Sequence, residues 1–282
     1  MVASAPARHT APMPTLPLYQ VDAFTNRPFA GNPAAVCPLE GSIPDALMQD
    51  IAAENNLSET AFFHRQGEAF SLRWFTPTVE VELCGHATLA SAFVIMTELE
   101  PARTEVAFGT RSGTLTVRRE AIEAKGSDLF VMDFPARPVR PAPDLAGSVA
   151  VALNARPVEI LHGPIILAVF ETADDVRKLA PDLAAIARFG DTVCVTAPAD
   201  RALPGVDFVS RYFAPAHGVP EDPVTGSSFC TLAPYWAARL GKPALRARQV
   251  SARGGDIRCE DRGERVLIAG QAQLVITGTI NY

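Results

Sequence analysis

The chain has 282 residues, 48% of them hydrophobic and 20% charged, with a formal net charge of −6. That length suits one large domain or two ordinary ones. The acidic balance excludes nucleic acid as the main partner, because phosphate binding needs a basic face.

In chain order, the start "MVASAPARHTAPMPTLP" is small and Pro-rich, without the apolar core of a signal peptide. Residues 1–15 are expected to be a disordered tail, with order beginning near Leu16–Tyr19. No apolar run reaches bilayer-spanning length, so no membrane partner is expected. "PLYQVDAF", "AAVCPL", "TAFFHR", "FSLRWFTP", "EVAFGTRSGTLTVRR" and "DLFVMDFP" are short, β-rich and punctuated by Gly or Pro. The same texture returns in "EILHGPIILAVF", "DTVCVTAP", "DFVSRYFAP", "QVSARGGDIRC" and "ERVLIAGQAQLVITGTI". Two segments, residues 85–100 and 226–241, have helical length and open on Gly plus a small polar residue or His. Residues 87–96 are apolar or small all round, which predicts a helix buried on nearly every face. Pro234 should kink the second helix or sit where its hydrogen bond is lost anyway. Arg246, Arg248 and Arg253 read as a solvated strand face.

The five cysteines are scattered and odd in number, which suits reduced thiols in a cytoplasm. The chain has no Cys-x-x-Cys, no His pair at helical spacing, no Walker loop and no Gly-x-Gly-x-x-Gly. Neither a metal nor a nucleotide cofactor is expected.

The sequence also repeats itself. Glu59-Thr60 before "AFF" matches Asp191-Thr192 before "VCV"; "RWFTP" matches "RYFAP"; Gly85 of "CGHAT" matches Gly226 of "TGSSF"; Gly113 matches Gly255. The matches are collinear, as in a duplicated unit. A unit of strands plus one all-apolar helix predicts a curved sheet wrapped around that helix. The cleft between halves would then face both helix N-termini, whose free N–H groups favour a carboxylate.

Three places combine Gly, small polar residues and an ionisable group: Ser58-Glu59-Thr60, Cys84-Gly85-His86 and "PEDPVTGSS". In the third, Asp222-Pro223 restricts the backbone, while Gly226 and Ser227 open the helix; plain N-capping is the alternative. His86 at a helix start should stay neutral, able to donate one hydrogen bond and accept another. Cys84 is either a thiolate favoured by the helix dipole or a buried small residue. Two-thiol chemistry is disfavoured, because Thr225 stands where the repeat would put the second thiol. In a cleft, Glu59 would have a raised pKa, with Asp222 adding like-charge repulsion, and could serve as a general acid–base.

"YQVDAFTNRPFAGNPAAVCPL", "NNLSETAFF", "RWFTPTVEVELCGHATLASA" and "EDPVTGSS" resemble the PhzF family of phenazine-biosynthesis isomerase-like proteins, in the family's order from about Leu18 onward. The resemblance implies an α+β, diaminopimelate-epimerase-like fold. This has two pseudo-symmetric domains, each a barrel-like, mostly antiparallel sheet around a central helix. With the last strand returning to the first half, residues 16–130 plus 269–282 form one domain and 131–268 the other. It also implies a cofactor-independent isomerase of small carboxylate substrates; the name member moves a proton on trans-2,3-dihydro-3-hydroxyanthranilate with one glutamate. Glu59 then looks like the acid/base. His86 and Asp222 look like its catalytic partners, and Ser58, Gly85, Gly226 and Ser227 like substrate-binding groups. The implied assembly is a homodimer. A Cys84-dependent epimerase or dehydratase and a non-catalytic binding protein of the same fold are the competing readings.

Overall fold

The computed structural model describes residues 14–122 and 128–282. The tail expected over residues 1–15 lies outside the described residues as far as residue 13. The first half carries β1 (Thr15–Ala23), β2 (Asn32–Leu39), β3 (Glu59–Gln66), β4 (Ala69–Phe75), β5 (Glu80–Val81), β6 (Glu105–Thr110), β7 (Gly113–Ala121) and β8 (Asp128–Pro135). After β9 (Arg140–Pro141) come β10 (Glu159–His162), β11 (Ile166–Val169), β12 (Val193–Pro198), β13 (Phe208–Ala214), β14 (Val219–Asp222), β15 (Ala244–Gln249), β16 (Gly255–Asp261) and β17 (Arg265–Gly270); β18 (Ala272–Asn281) ends the set. "EVAFGTRSGTLTVRR" and "QVSARGGDIRC" thus each turn back at their glycines to make a hairpin rather than one strand.

The duplication is written in the hydrogen bonding. β1 and β2 run antiparallel, and β2 and β3 parallel. β3–β4 and β4–β5 are antiparallel, β4–β6 parallel, and β6, β7 and β8 antiparallel. The same senses recur, in the same order, from β10 to β17. Even an ion pair is doubled. Arg73 holds Glu80 through Nε and Nη2 at 2.8 Å each, and Arg211 holds Glu221 at 2.8 and 2.9 Å. Both are two-point forks that fix the hairpin beside the cleft. β8 pairs with β17 across the halves, β18 returns to β1, and β9 pairs with β10. The expected divisions at 130/131 and 268/269 fall inside β8 and β17, the two strands that join the halves.

Each half encloses one helix. α1 (Asp45–Asn55) lies outside the first sheet, where Met48, Ile51 and Ala52 cover Cys37, Phe62 and Phe75. α2 (Gly85–Phe93) is the enclosed one, and all of its residues from Gly85 to Ala92 are buried. α3 (Ala146–Leu153), α4 (Ala173–Lys178) and α5 (Leu183–Ala187) cover the outside of the second sheet. α6 (Phe229–Leu240) is the second enclosed helix, and it shares one continuous apolar core with α2. The sequence reading assigned only the two enclosed helices. The outer ones are short or small-residue segments that gain their helicity from packing on a sheet.

Neither enclosed helix is a uniform α-helix over its expected span. Beyond α2 the chain widens into a π-helical turn over Val94–Leu99, closed by Glu100 N–H on the Ile95 carbonyl at 2.7 Å. The second begins as a 3-10 turn over Gly226–Ser228. Within α6, Pro234 lacks the N–H that would engage the Cys230 carbonyl. The Arg137 N–H, from the segment linking the halves, takes that carbonyl at 2.8 Å.

The two enclosed helices meet end to end. A Cβ on Gly85 would lie 3.3 Å from Gly226 Cα, and one on Gly226 would lie 3.4 Å from Gly85 Cα and 3.1 Å from the Phe24 ring. Only hydrogen fits without displacement. Gly85→Ala should therefore cost about 1–3 kcal/mol by overpacking, lowering Tm by roughly 2–4 °C per kcal/mol. Gly147→Ala in α3, where a Cβ meets nothing within 4 Å, should leave Tm at or slightly above the parent value. Thermal melts of both variants check the contrast.

Candidate active site

The helix ends open on a cleft of about 720 Å³, within the usual size range of ligand pockets. Glu59, His86, Asp222, Gly85, Gly226 and Ser227 all line it. Ser58, just before β3 and partly exposed, is not among the lining residues.

Glu59 is the first residue of β3, opposite Ala34 in the parallel β2–β3 pair. The ladder fixes its backbone while 16% of its side chain stays open. Burial raises its pKa well above the carboxylate range, the Asp222 charge raises it further, and a hydrogen bond from Cys84 opposes the rise. His86, in the first turn of α2, brings Nε2 to 3.2 Å from Glu59 Oε2. Nε2 nonetheless makes no hydrogen bond of normal geometry. Burial drives the His86 pKa down to about 3, so the ring is neutral at physiological pH, as the sequence reading anticipated. The cause is desolvation rather than the helix dipole.

Two residues that the sequence reading passed over hold this group together. Asn32 Nδ2 lies 2.7 Å from Asp222 Oδ1, 2.9 Å from the Val224 carbonyl and 3.2 Å from His86 Nδ1. An amide has two protons for these three acceptors, and the two shortest contacts take them. His86 Nδ1, 3.4 Å from Cys84 Sγ, then shares with the Glu59 carboxyl the reach of that thiol's single proton. Gln249 Nε2 donates to the Asp222 carbonyl at 2.6 Å, and its Oε1 accepts the Thr225 N–H at 2.9 Å. Thr225 Oγ1 donates to Asp222 Oδ2. Asp222 is thus gripped by Asn32 from the first half and by Thr225 and Gln249 from the second. Its pKa is still raised, because burial outweighs these donors. The available signal was Gln249, a polar side chain at an inward position of the alternating "LRARQ" strand; Asn32 stood in the quoted "GNP" motif with no role assigned.

The fold decides two further readings, one that the sequence left open and one that it overturns. Cys84 is no thiolate: burial first, then the Glu59 charge, raise its pKa well above the ordinary thiol value, overriding the helix dipole. Arg253 is not part of a solvated strand face. It sits in the turn before β16 and pairs with buried Asp22 at 2.8 Å, while bonding the Gly31 and Ala30 carbonyls. That clasp holds the loop leading to Asn32. Asp191, the repeat counterpart of Glu59, also lines the cleft, but it pairs with exposed His162 at 2.9 Å.

The raised carboxyls carry a stability consequence. Folded Glu59 keeps a proton that the unfolded chain releases above about pH 4. Its contribution is full below that pH and is lost as pH rises toward its raised folded-state pKa. Glu59→Gln removes this loss. Its Tm should exceed the parent's at about pH 8 and converge with it at about pH 4, as melts across that range would read.

The PhzC-PhzF family, described as phenazine biosynthesis-like protein, matches residues 21–278. The chain is 50% identical over 270 residues to Uncharacterized isomerase PA3578 of Pseudomonas aeruginosa, covering 94% of this chain and 98% of that one. It superposes on the crystal structure of a PhzF-family phenazine biosynthesis protein from Enterococcus faecalis with TM-score 0.88 and 41% identity, over 95% of this chain and all of that one. A hydroxyproline epimerase of Agrobacterium vitis shares the fold alone, at TM-score 0.60 and 12% identity over 94% of this chain and 91% of that one. The chain belongs to the PhzC-PhzF family of phenazine-biosynthesis-like proteins and has that family's epimerase-like fold.

Proposed function

We propose that this protein is an isomerase that moves a proton on a small carboxylate-bearing substrate, with Glu59 as the single acid/base. The observation that carries the reading is Glu59 itself: a carboxyl with a pKa raised by burial and by Asp222, beside a neutral imidazole and open to the cleft. The isomerase name of the relative from Pseudomonas aeruginosa agrees with it.

The substrate carboxylate sits between the helix starts. The first N–H groups of each helix have no intrahelical acceptor, and the Gly85–Gly226 contact puts the two sets side by side. Ionised Glu59 removes a proton from a substrate carbon. The carboxylic acid so formed returns it at another position on the same face, so no net proton is consumed. His86 Nε2, without a directed partner in the protein, orients a substrate hydroxyl or amine. Asp222 keeps Glu59 basic through its charge. Burial and the Glu59 charge keep Cys84 a thiol, which argues against a thiol-dependent epimerase or dehydratase.

The test is proton exchange in D2O, followed by NMR, on trans-2,3-dihydro-3-hydroxyanthranilate and a set of proline and hydroxyproline isomers. Glu59→Gln should fold and lose about 100- to 10,000-fold in exchange rate; an unchanged rate would refute the assignment. Cys84→Ala should retain exchange. In the free enzyme kcat/KM should rise with pH as Glu59 ionises, with a midpoint above the ordinary carboxyl value of about 4.3. Asp222→Asn removes the neighbouring negative charge, so the midpoint should move to lower pH even as the rate falls.

A further inference from the structure

The cleft holds one strong cation. Among its lining residues Arg137 is the sole Lys or Arg, against Glu59, Asp191 and Asp222. Its backbone is held on both sides. Its N–H bonds the Cys230 carbonyl that Pro234 leaves free, at 2.8 Å, and its carbonyl accepts from Thr231 Oγ1 at 2.8 Å. The preceding residue, Ala136, bonds the Glu264 carbonyl at 2.9 Å. The guanidinium, by contrast, makes no hydrogen bond or ion pair among the described residues, whereas Arg73 and Arg211 beside the cleft are both occupied by glutamates. A cation on a fixed mount, without a carboxylate of its own, suits a planar anion from outside.

Resting on the proposed reading, in which the helix starts hold one carboxylate, we infer that Arg137 is a specificity residue that takes a second acidic group of the substrate. The substrate class is then a small diacid. One carboxylate lies at the Gly85–Gly226 contact next to Glu59. The other acidic group, remote from the carbon whose proton moves, reaches across the cleft to Arg137.

The experiment measures Kd by calorimetry for straight-chain dicarboxylates from succinate to pimelate, and for the monocarboxylates of equal chain length. At least one diacid should bind about tenfold or more tighter than its monoacid, a difference of about 1.4 kcal/mol. Arg137→Gln should abolish that ratio, and Arg137→Lys should restore part of it. Arg137 is exposed, so both variants should fold, which thermal melts verify. Equal binding of mono- and diacids, a ratio that survives Arg137→Gln, or a variant that weakens both classes alike would each overturn the second-group inference and leave the carboxylate site standing. Absence of binding by both classes, or monoacid binding indifferent to Ser227→Ala and Gly226→Ala together, would instead overturn the carboxylate site and the inference with it.

Discussion

Two helix starts touching through glycine are what the rest of the molecule is arranged around. Gly85 and Gly226 approach so closely that a single methyl group on either has no free space. Helix N-termini carry like partial charges and unsatisfied N–H groups, so this junction is unfavourable by itself. It is held by what encloses it: α2 and α6 lie in one apolar core, and paired strands β8 and β17 bind the two sheets together. An anion placed at the junction would relieve both the repulsion and the missing acceptors.

Duplication gave two similar halves, and the site uses them unequally. The scaffold stayed symmetric, down to the paired forks Arg73–Glu80 and Arg211–Glu221. The chemistry did not. Glu59 is half-buried against neutral His86, whereas its counterpart Asp191 faces an exposed histidine. The second half supplies Asp222 to the cleft, where Asn32 bonds its carboxylate and Gln249 its carbonyl. The result is one carboxyl with a raised pKa beside a second, firmly held one. The like-charge repulsion that raises the Glu59 pKa destabilises the folded state by the same free energy, a trade of stability for function common at active sites.

Much of this was legible in the chain. Glycine followed by a run of small and apolar residues marked the enclosed helix, and collinear motifs marked the repeat. Glu59, His86, Asp222, Gly85, Gly226 and Ser227 all came to one cleft. Ser58 did not, because neighbouring side chains along extended backbone alternate between opposite faces. Asn32 and Gln249 escaped because a buried amide acts through partners far away in sequence, 190 residues in the case of Asn32 and Asp222. The π-helical turn after α2 was equally out of reach. Arg119 Nη1, from β7, bonds the Met96 carbonyl within it, a contact that no local pattern reveals.

The sequence by itself determined the residue types, the local backbone preferences and the repeat: which helix has no polar face, which glycines stand at helix starts, and which carboxyls flank them. Those follow from periodicity and steric rules that act over a few residues. Tertiary structure decided the protonation states and the partnerships. Cys84 sits at a helix start, where the dipole favours a thiolate, yet burial keeps it a thiol; Pro234 frees a carbonyl, and only the folded chain delivers Arg137 to it. Desolvation and long-range hydrogen bonding depend on what surrounds a group in three dimensions, so those decisions belong to the fold.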